Sequence, residues 1–66
     1  MATFDMRQVV VAVKRISGDR GPVELGTKGV VVDEQGGFIF SLSYRVKFET
    51  GNEAWCDPNA LSALRR

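Results

Sequence analysis

The 66-residue sequence has no histidine, one cysteine and two prolines, and neither sign of charge prevails in it. Without histidine, a cysteine nucleophile lacks its usual base, and a metal ion lacks one of its commonest ligands. A single cysteine cannot form an internal disulfide. Nine basic and eight acidic residues are mixed along the chain and give a formal net charge of +1. This balance does not direct the protein strongly to nucleic acid or to a membrane.

Long hydrophobic runs are also missing. The apolar run at residues 9–13 is five residues long, and residues 1–7 lack the basic region of a signal peptide. The sequence therefore predicts no membrane span and no signal peptide, and we expect a cytoplasmic protein. Residues 1–66 are expected to form one domain, in which residues 1–7 are either a loose N-terminal arm or a short edge segment.

The strongest pattern lies in residues 38–49, where apolar side chains occupy every second position and Ile39 is the one exception. This period of two is typical of a β-strand with one apolar and one wet face. Twelve extended residues would span about 40 Å, too far for one straight strand in so small a domain. The segment is therefore predicted to bend, or to divide near residues 41–43.

Other strands are predicted at residues 8–15, 28–34 and 53–56, and residues 16–27 are predicted to form a long loop. The first strand has valines on both faces, and the sequence leaves open which face is buried. Asp57 and Pro58 predict the start of one helical turn over residues 58–61. Together these elements indicate an all-β fold, an SH3-like small barrel of about five antiparallel strands with a short C-terminal helical turn.

Three sets of residues strengthen this interpretation: Gly26-x-x-Gly29-Val30-Val31, Tyr44-x-Val46-x-Phe48 and Trp55-x-x-Pro58-x-Ala60-Leu61. The pattern resembles a broad group of small SH3-like barrels. The group includes a small barrel protein of photosystem I, the ferredoxin–thioredoxin reductase variable chain, the nitrile hydratase β-subunit and type II dihydrofolate reductase. The resemblance covers roughly residues 8–64 and implies a fold rather than a function, because its motifs are strand valines and turn glycines.

The type II reductases bind substrate and cofactor through a Val-Gln-Ile-Tyr segment in their final strand. The corresponding residues in this chain are Glu53, Ala54, Trp55 and Cys56. Both the glutamine and the tyrosine are absent, so the resemblance does not extend to reductase activity.

Trp55 and Cys56 are neighbours in a predicted strand, so one of them faces the core and the other faces outward. Tryptophan in a domain this small is more often a core residue than an exposed anchor, although an exposed Trp55 would be the main candidate for a binding hot spot. Cys56 is expected to be structural, since no histidine activates it and its neighbour Asp57 disfavours a thiolate.

The nearly continuous apolar segment at residues 38–42 is more than one small barrel can easily bury. An exposed patch of this kind indicates an interface, although the same aromatic side chains would also suit base stacking. The charged side chains could form either a phosphate-binding face or an ordinary mixed-charge surface. Arg45 and Lys47 share a strand face, but Glu49 lies on that face too, so a mixed-charge surface is favoured over a phosphate-binding one.

The sequence shows no carboxylate cluster at metal-ligand spacing and no glycine-rich phosphate loop before a helix, so neither a metal nor a cofactor is expected. The sequence therefore predicts a non-enzymatic binding or regulatory module that docks on another protein and forms a homo-oligomer. A nucleic-acid-binding barrel is the alternative, and an enzyme whose site forms only between subunits is the third interpretation. The residues predicted to make the contact are Phe38, Ile39, Phe40, Leu42, Trp55, Arg20, Arg45 and Lys47.

Overall fold

A computed structural model describes residues 4–36 and 41–64, and over these residues the chain is all-β. Seven strands and one short 3₁₀ turn make up the regular structure. The strands are β1 (Val9–Ala12), β2 (Ile16–Gly18), β3 (Gly21–Val23), β4 (Lys28–Gln35), β5 (Ser43–Phe48), β6 (Glu53–Cys56) and β7 (Leu61–Ala63). The 3₁₀ turn spans Pro58–Ala60 and follows the capping residue Asp57, as the sequence predicts.

Five of the strands form one antiparallel sheet in the order β6-β5-β4-β1-β7, and β2 pairs with β3 in a second, two-stranded sheet. The count of seven exceeds the expected five. One reason is that β7 follows the 3₁₀ turn and pairs with β1, through Val10 opposite Ala63 and Ala12 opposite Leu61. The three residues of β7 are too few to show a period of two in the sequence.

The second reason is that the prediction of one long loop at residues 16–27 is wrong, because two strands lie within these residues. Its first part is the β2–β3 hairpin, in which Ile16 lies opposite Val23 and both side chains are buried. The turn is tight because Gly21 adopts a φ of 112°, which is open to glycine and strained for other residues. The sequence does not predict these two strands because each has only one buried apolar residue, Ile16 or Val23, and the residues between these two favour turns.

The core lies on the inner face of the five-stranded sheet and is closed by the β2–β3 hairpin and the 3₁₀ turn. Val10 and Ala12 face the core, while Val9 is exposed, which decides the face of β1 that the sequence leaves open. Tyr44, Val46 and Phe48 of β5 are buried as the alternation predicts. The buried apolar residues are Phe4, Val10, Ala12, Ile16, Val23, Val31, Tyr44, Val46, Phe48, Ala54, Cys56, Ala60 and Leu61.

The N-terminal segment is anchored at Phe4 and is not a loose arm there, although the side chains of residues 5–7 are exposed. Phe4 is buried against Tyr44, with ring centroids 5.2 Å apart and nearly perpendicular rings. The Phe4 backbone N–H also donates to the Tyr44 hydroxyl at 3.0 Å. Arg7 donates its backbone N–H to the Val31 carbonyl, so the segment continues onto β4. The bond from Phe4 gives the Tyr44 hydroxyl, the one polar atom of the largest fully buried side chain, a partner inside the fold.

Only part of the segment at residues 38–49 lies within the described residues. Strand β5 begins at Ser43, so the regular strand covers the second half of the predicted stretch. Leu42 is partly buried and packs against the core, which leaves it less available to a partner than the sequence suggests. Phe38, Ile39 and Phe40 lie outside the described residues, and their predicted role in a contact stays a prediction. Over the described residues, no helix has the length and apolar character needed to cross a membrane.

Candidate docking surface on the outer sheet face

Alternation along the strands places a second set of side chains on the outer face, the side of the five-stranded sheet turned away from the core. Trp55 of β6 lies opposite Arg45 of β5, and in the next row Glu53 lies opposite Lys47. Lys47 in turn lies opposite Val30 of β4, and Val30 lies opposite Val9 of β1. The outer face therefore combines a tryptophan, exposed valines and charges of both signs.

Trp55 faces outward, and Cys56 takes the core position. Trp55 is 41% exposed and Cys56 only 2%. The core position of Trp55 that residue statistics favour is therefore wrong. The reason is the pairing with β5: Cys56 lies opposite Tyr44 and Ala54 opposite Val46, both core residues, which leaves Trp55 on the other side. The core therefore contains Ala54 and Cys56 from β6, and the Trp55 indole lies outside it.

Arg45 lies over the Trp55 ring, with its guanidinium carbon 5.8 Å from the ring centroid. Two carboxylates hold it there. Its Nη2 donates to Asp19 Oδ2 at 2.7 Å, and its Nε donates to Glu53 Oε1 at 2.9 Å. The hydrogen bond to Asp19 is the main cause that raises the pKa of Arg45 above its usual value, with a further contribution from Glu53. Arg45 is thus a positioned, charge-compensated support for the exposed indole.

The β2–β3 turn is fastened beside this cluster by Asn52, the one buried polar residue among the described positions. Asn52 Oδ1 accepts the Arg20 backbone N–H at 2.9 Å, and Asn52 Nδ2 donates to the Gly21 carbonyl at 2.9 Å. Asp19 also donates its backbone N–H to the Glu53 carbonyl. The turn thus delivers Asp19 to Arg45, and the next residue, Arg20, is exposed. Of the predicted contact residues, Trp55 and Arg45 are brought together, and Arg20 lies in the turn that supplies Asp19.

Lys47, a predicted contact residue, lines a groove on a neighbouring part of the outer face. The sequence analysis did not predict this groove. An open groove of about 390 Å³ runs there, with Val9 and Val30 among its apolar lining and Lys28, Lys47 and Glu49 at its borders. A smaller hollow of about 300 Å³ lies beside Trp55 and is lined also by Gln35, Ser41 and Ser43. The valine runs of β1 and β4 supply the apolar lining of the groove. The sequence does not show which valines face outward, and the burial of Val10 and Val31 shows that Val9 and Val30 do.

Cys56 is buried, with its thiol 3.6 Å from the Ala54 carbonyl oxygen. Burial raises the pKa of the Cys56 thiol from its ordinary 9.0 to about 11, which opposes a thiolate and agrees with a structural role. No group of three His, Cys, Asp or Glu side chains in the described part of the chain lies close enough together to hold a metal ion.

The raised pKa of Cys56 predicts a loss of stability at alkaline pH. The folded protein holds the thiol proton more tightly than the unfolded chain does, so this contribution is complete below pH 9 and is lost as the pH rises towards 11. The slope approaches about 1.4 kcal/mol per pH unit within that window. Urea unfolding between pH 8 and pH 11 should show a shallower fall for Cys56→Ala than for the wild type. Parallel falls for the two proteins would contradict the prediction.

Comparison with known proteins gives no assignment: no family model matches the chain, and neither a curated protein nor a solved structure matches it.

Proposed function

We propose that this chain is a non-enzymatic binding module, a small barrel of the SH3-like kind, that docks on another protein through the outer face around Trp55. The observation that carries the proposal is the pair of Trp55 and Arg45. An exposed indole is stacked under a guanidinium, which is itself held by Asp19 and Glu53. Tryptophan and arginine are the residues most enriched among binding hot spots, and a fixed pair loses little entropy when a partner covers it.

The surroundings of this pair suit a protein partner of mixed chemistry. The hollow beside Trp55 offers the polar side chains of Gln35, Ser41 and Ser43 next to the apolar indole. Interfaces commonly combine an aromatic centre with a polar and charged rim. Arg20 and Lys47 stand at that rim, where they would orient an incoming acidic partner and raise its association rate. Phe38, Ile39 and Phe40 complete the proposed contact, and the module is proposed to act in the cytoplasm as an oligomer.

A library of displayed random peptides provides the test, since it does not require the natural partner. Peptides selected on the wild-type protein should bind Trp55→Ala with a free energy weaker by about 2 kcal/mol, or about thirtyfold in Kd. Leu25→Ala is the matched control, because Leu25 is 68% exposed in the turn between β3 and β4 and lies outside the proposed contact. Selected peptides that bind both variants as well as the wild type would overturn the proposed site.

Nucleic-acid binding is the second candidate, favoured by the exposed Trp55 and by Lys28 and Lys47 on the same face. This candidate is less well supported, because two carboxylates already compensate the charge of Arg45. Single-stranded and duplex oligonucleotides should be titrated at two salt concentrations. Affinity that falls steeply with salt and is lost on reversing both Arg45 and Lys47 to Glu would establish this candidate, and weak salt dependence would exclude it.

A further inference from the structure

The outward residues of β4 carry opposite charges at the two ends of an apolar centre. Lys28 begins the strand, Val30 and Val32 follow with exposures of 36% and 41%, and Asp33 comes next. Simple alternation would turn Asp33 towards the core. A β-bulge between Val31 and Asp33 shifts the register, so that Asp33 lies opposite the outward-facing Arg45. The bulge thus adds a carboxylate to the outer face and completes the order basic, apolar, apolar, acidic.

Lys28 and Asp33 are exposed, and Asp33 Oδ1 accepts one hydrogen bond, from the Glu34 backbone N–H at 2.8 Å. Arg45 is the nearest cation across the strand from Asp33, but its ion pairs are made with Asp19 and Glu53. Within residues 4–36 and 41–64, neither Lys28 nor Asp33 takes part in a salt bridge. The Lys28 backbone N–H donates to Glu49, which leaves its ammonium group outside that hydrogen bond.

The apolar centre of the strip has a hollow towards one end and an exposed side chain towards the other. The groove lined by Val9 and Val30 lies towards the Lys28 end of β4, and Val32 stands exposed towards the Asp33 end. A surface that complements this strip must present an acid opposite Lys28, an apolar side chain opposite the groove and a base opposite Asp33. The same strip running in the opposite direction supplies all three.

We propose that the outer face of β4 binds the same face of a second copy of this chain, about a two-fold axis that crosses the strand at Val30, midway between Lys28 and Asp33 in the β4–β5 pairing. The strands run antiparallel, so Lys28 of each copy meets Asp33 of the other, and each Val32 enters the other's groove. Such a contact is isologous, and every favourable pair occurs twice. It deepens the oligomeric part of the proposed function and rests on that part alone. Lys47 lies beside Val30 on the neighbouring strand β5, at the edge of this contact rather than within the β4 strip.

Charge reversal provides the test, because an isologous contact makes a specific prediction about mixtures. Lys28→Asp and Asp33→Lys should each weaken self-association about tenfold or more, since each places like charges together twice. A one-to-one mixture of the two variants should associate again, because the heterodimer restores both opposite-charge pairs. The double variant carrying both changes should also recover. Solution mass is measured over a concentration series at low salt, with circular dichroism to confirm that each exposed substitution leaves the fold intact.

Lys14→Asp is the control, because it makes the same change of charge outside β4 and should leave the solution mass unchanged. A wild-type protein that stays monomeric at all concentrations would overturn the proposal. So would self-association that neither reversal affects, or single variants that fail to associate when mixed. The experiment uses the purified chain alone, so its failure leaves docking at Trp55 untouched. Loss of peptide binding in Trp55→Ala likewise leaves the β4 contact untouched.

Discussion

Replacing Gly29 by alanine is expected to lower the free energy of unfolding by about 3 kcal/mol, a large share of the stability of a domain this size. Gly29 is buried in β4 opposite Phe48. A Cβ placed there would lie 2.5 Å from Val46 Cγ1, 2.9 Å from Phe48 Cδ1 and 2.9 Å from the Lys47 carbonyl oxygen. The last of these is a backbone atom, so β4 and β5 must separate to admit the methyl group.

Gly26→Ala is the matched comparison for this substitution. Gly26 has a φ of 90° and no atom within 4 Å of the added Cβ, so its cost is backbone strain alone, about 1 kcal/mol. Urea unfolding of both variants measures the difference directly. If Gly29→Ala costs no more than Gly26→Ala, the close packing of β4 on β5 is not what requires glycine at position 29.

Replacing Asn52 by alanine is expected to destabilise the protein by about 2–4 kcal/mol, because two backbone groups of the β2–β3 turn lose their partner in a buried setting. These groups are the Arg20 N–H and the Gly21 carbonyl. The loss should be local first: the turn carries Asp19, so Arg45 would lose one of the two carboxylates that hold it over Trp55. Hydrogen exchange should therefore accelerate at the amides of Asp19 and Arg20 before it does in β4.

Asn59→Ala is the control for Asn52→Ala. Asn59 is exposed, and its backbone N–H, which alanine keeps, donates to Asp57 Oδ1. Its expected effect is within about 0.5 kcal/mol. Equal effects of the two substitutions would show that Asn52 does not fasten the turn. Normal exchange in the turn of a destabilised Asn52→Ala protein would contradict the link from Asn52 to the Trp55 cluster.

The local patterns of the sequence predicted the strands that carry the core. Tyr44, Val46 and Phe48 alternate strongly enough to define β5, and Asp57 with Pro58 defines the start of the 3₁₀ turn. These signals need only a few neighbouring residues. The β2–β3 hairpin was missed because its two inward residues, Ile16 and Val23, are separated by turn formers. In both cases, the number of alternating apolar residues in a short segment decides whether the sequence predicts the strand.

The candidate site depended on pairings that no local pattern contains. Asp19 reaches Arg45 across 26 positions of sequence, and its turn is held by Asn52 and by the Glu53 carbonyl. The outward direction of Trp55 follows from its register against β5. The outward position of Asp33 follows from a bulge, which changes the face of every later residue in the strand. The sequence named Trp55, Arg45, Lys47 and Arg20 as contact residues, but their mutual arrangement is a property of the folded chain.

A partner protein that covers the outer face at Trp55 must change the surroundings of the indole. The most direct test is nuclear magnetic resonance of the ¹⁵N-labelled protein, titrated with the tightest peptide from the displayed library. We expect the largest shift changes at the Trp55 indole, at Arg45 and along the neighbouring residues of β5 and β6, with Lys14 and Leu25 unaffected. Changes confined to other surfaces, with the Trp55 indole signal unmoved at saturation, would show that the peptide docks elsewhere.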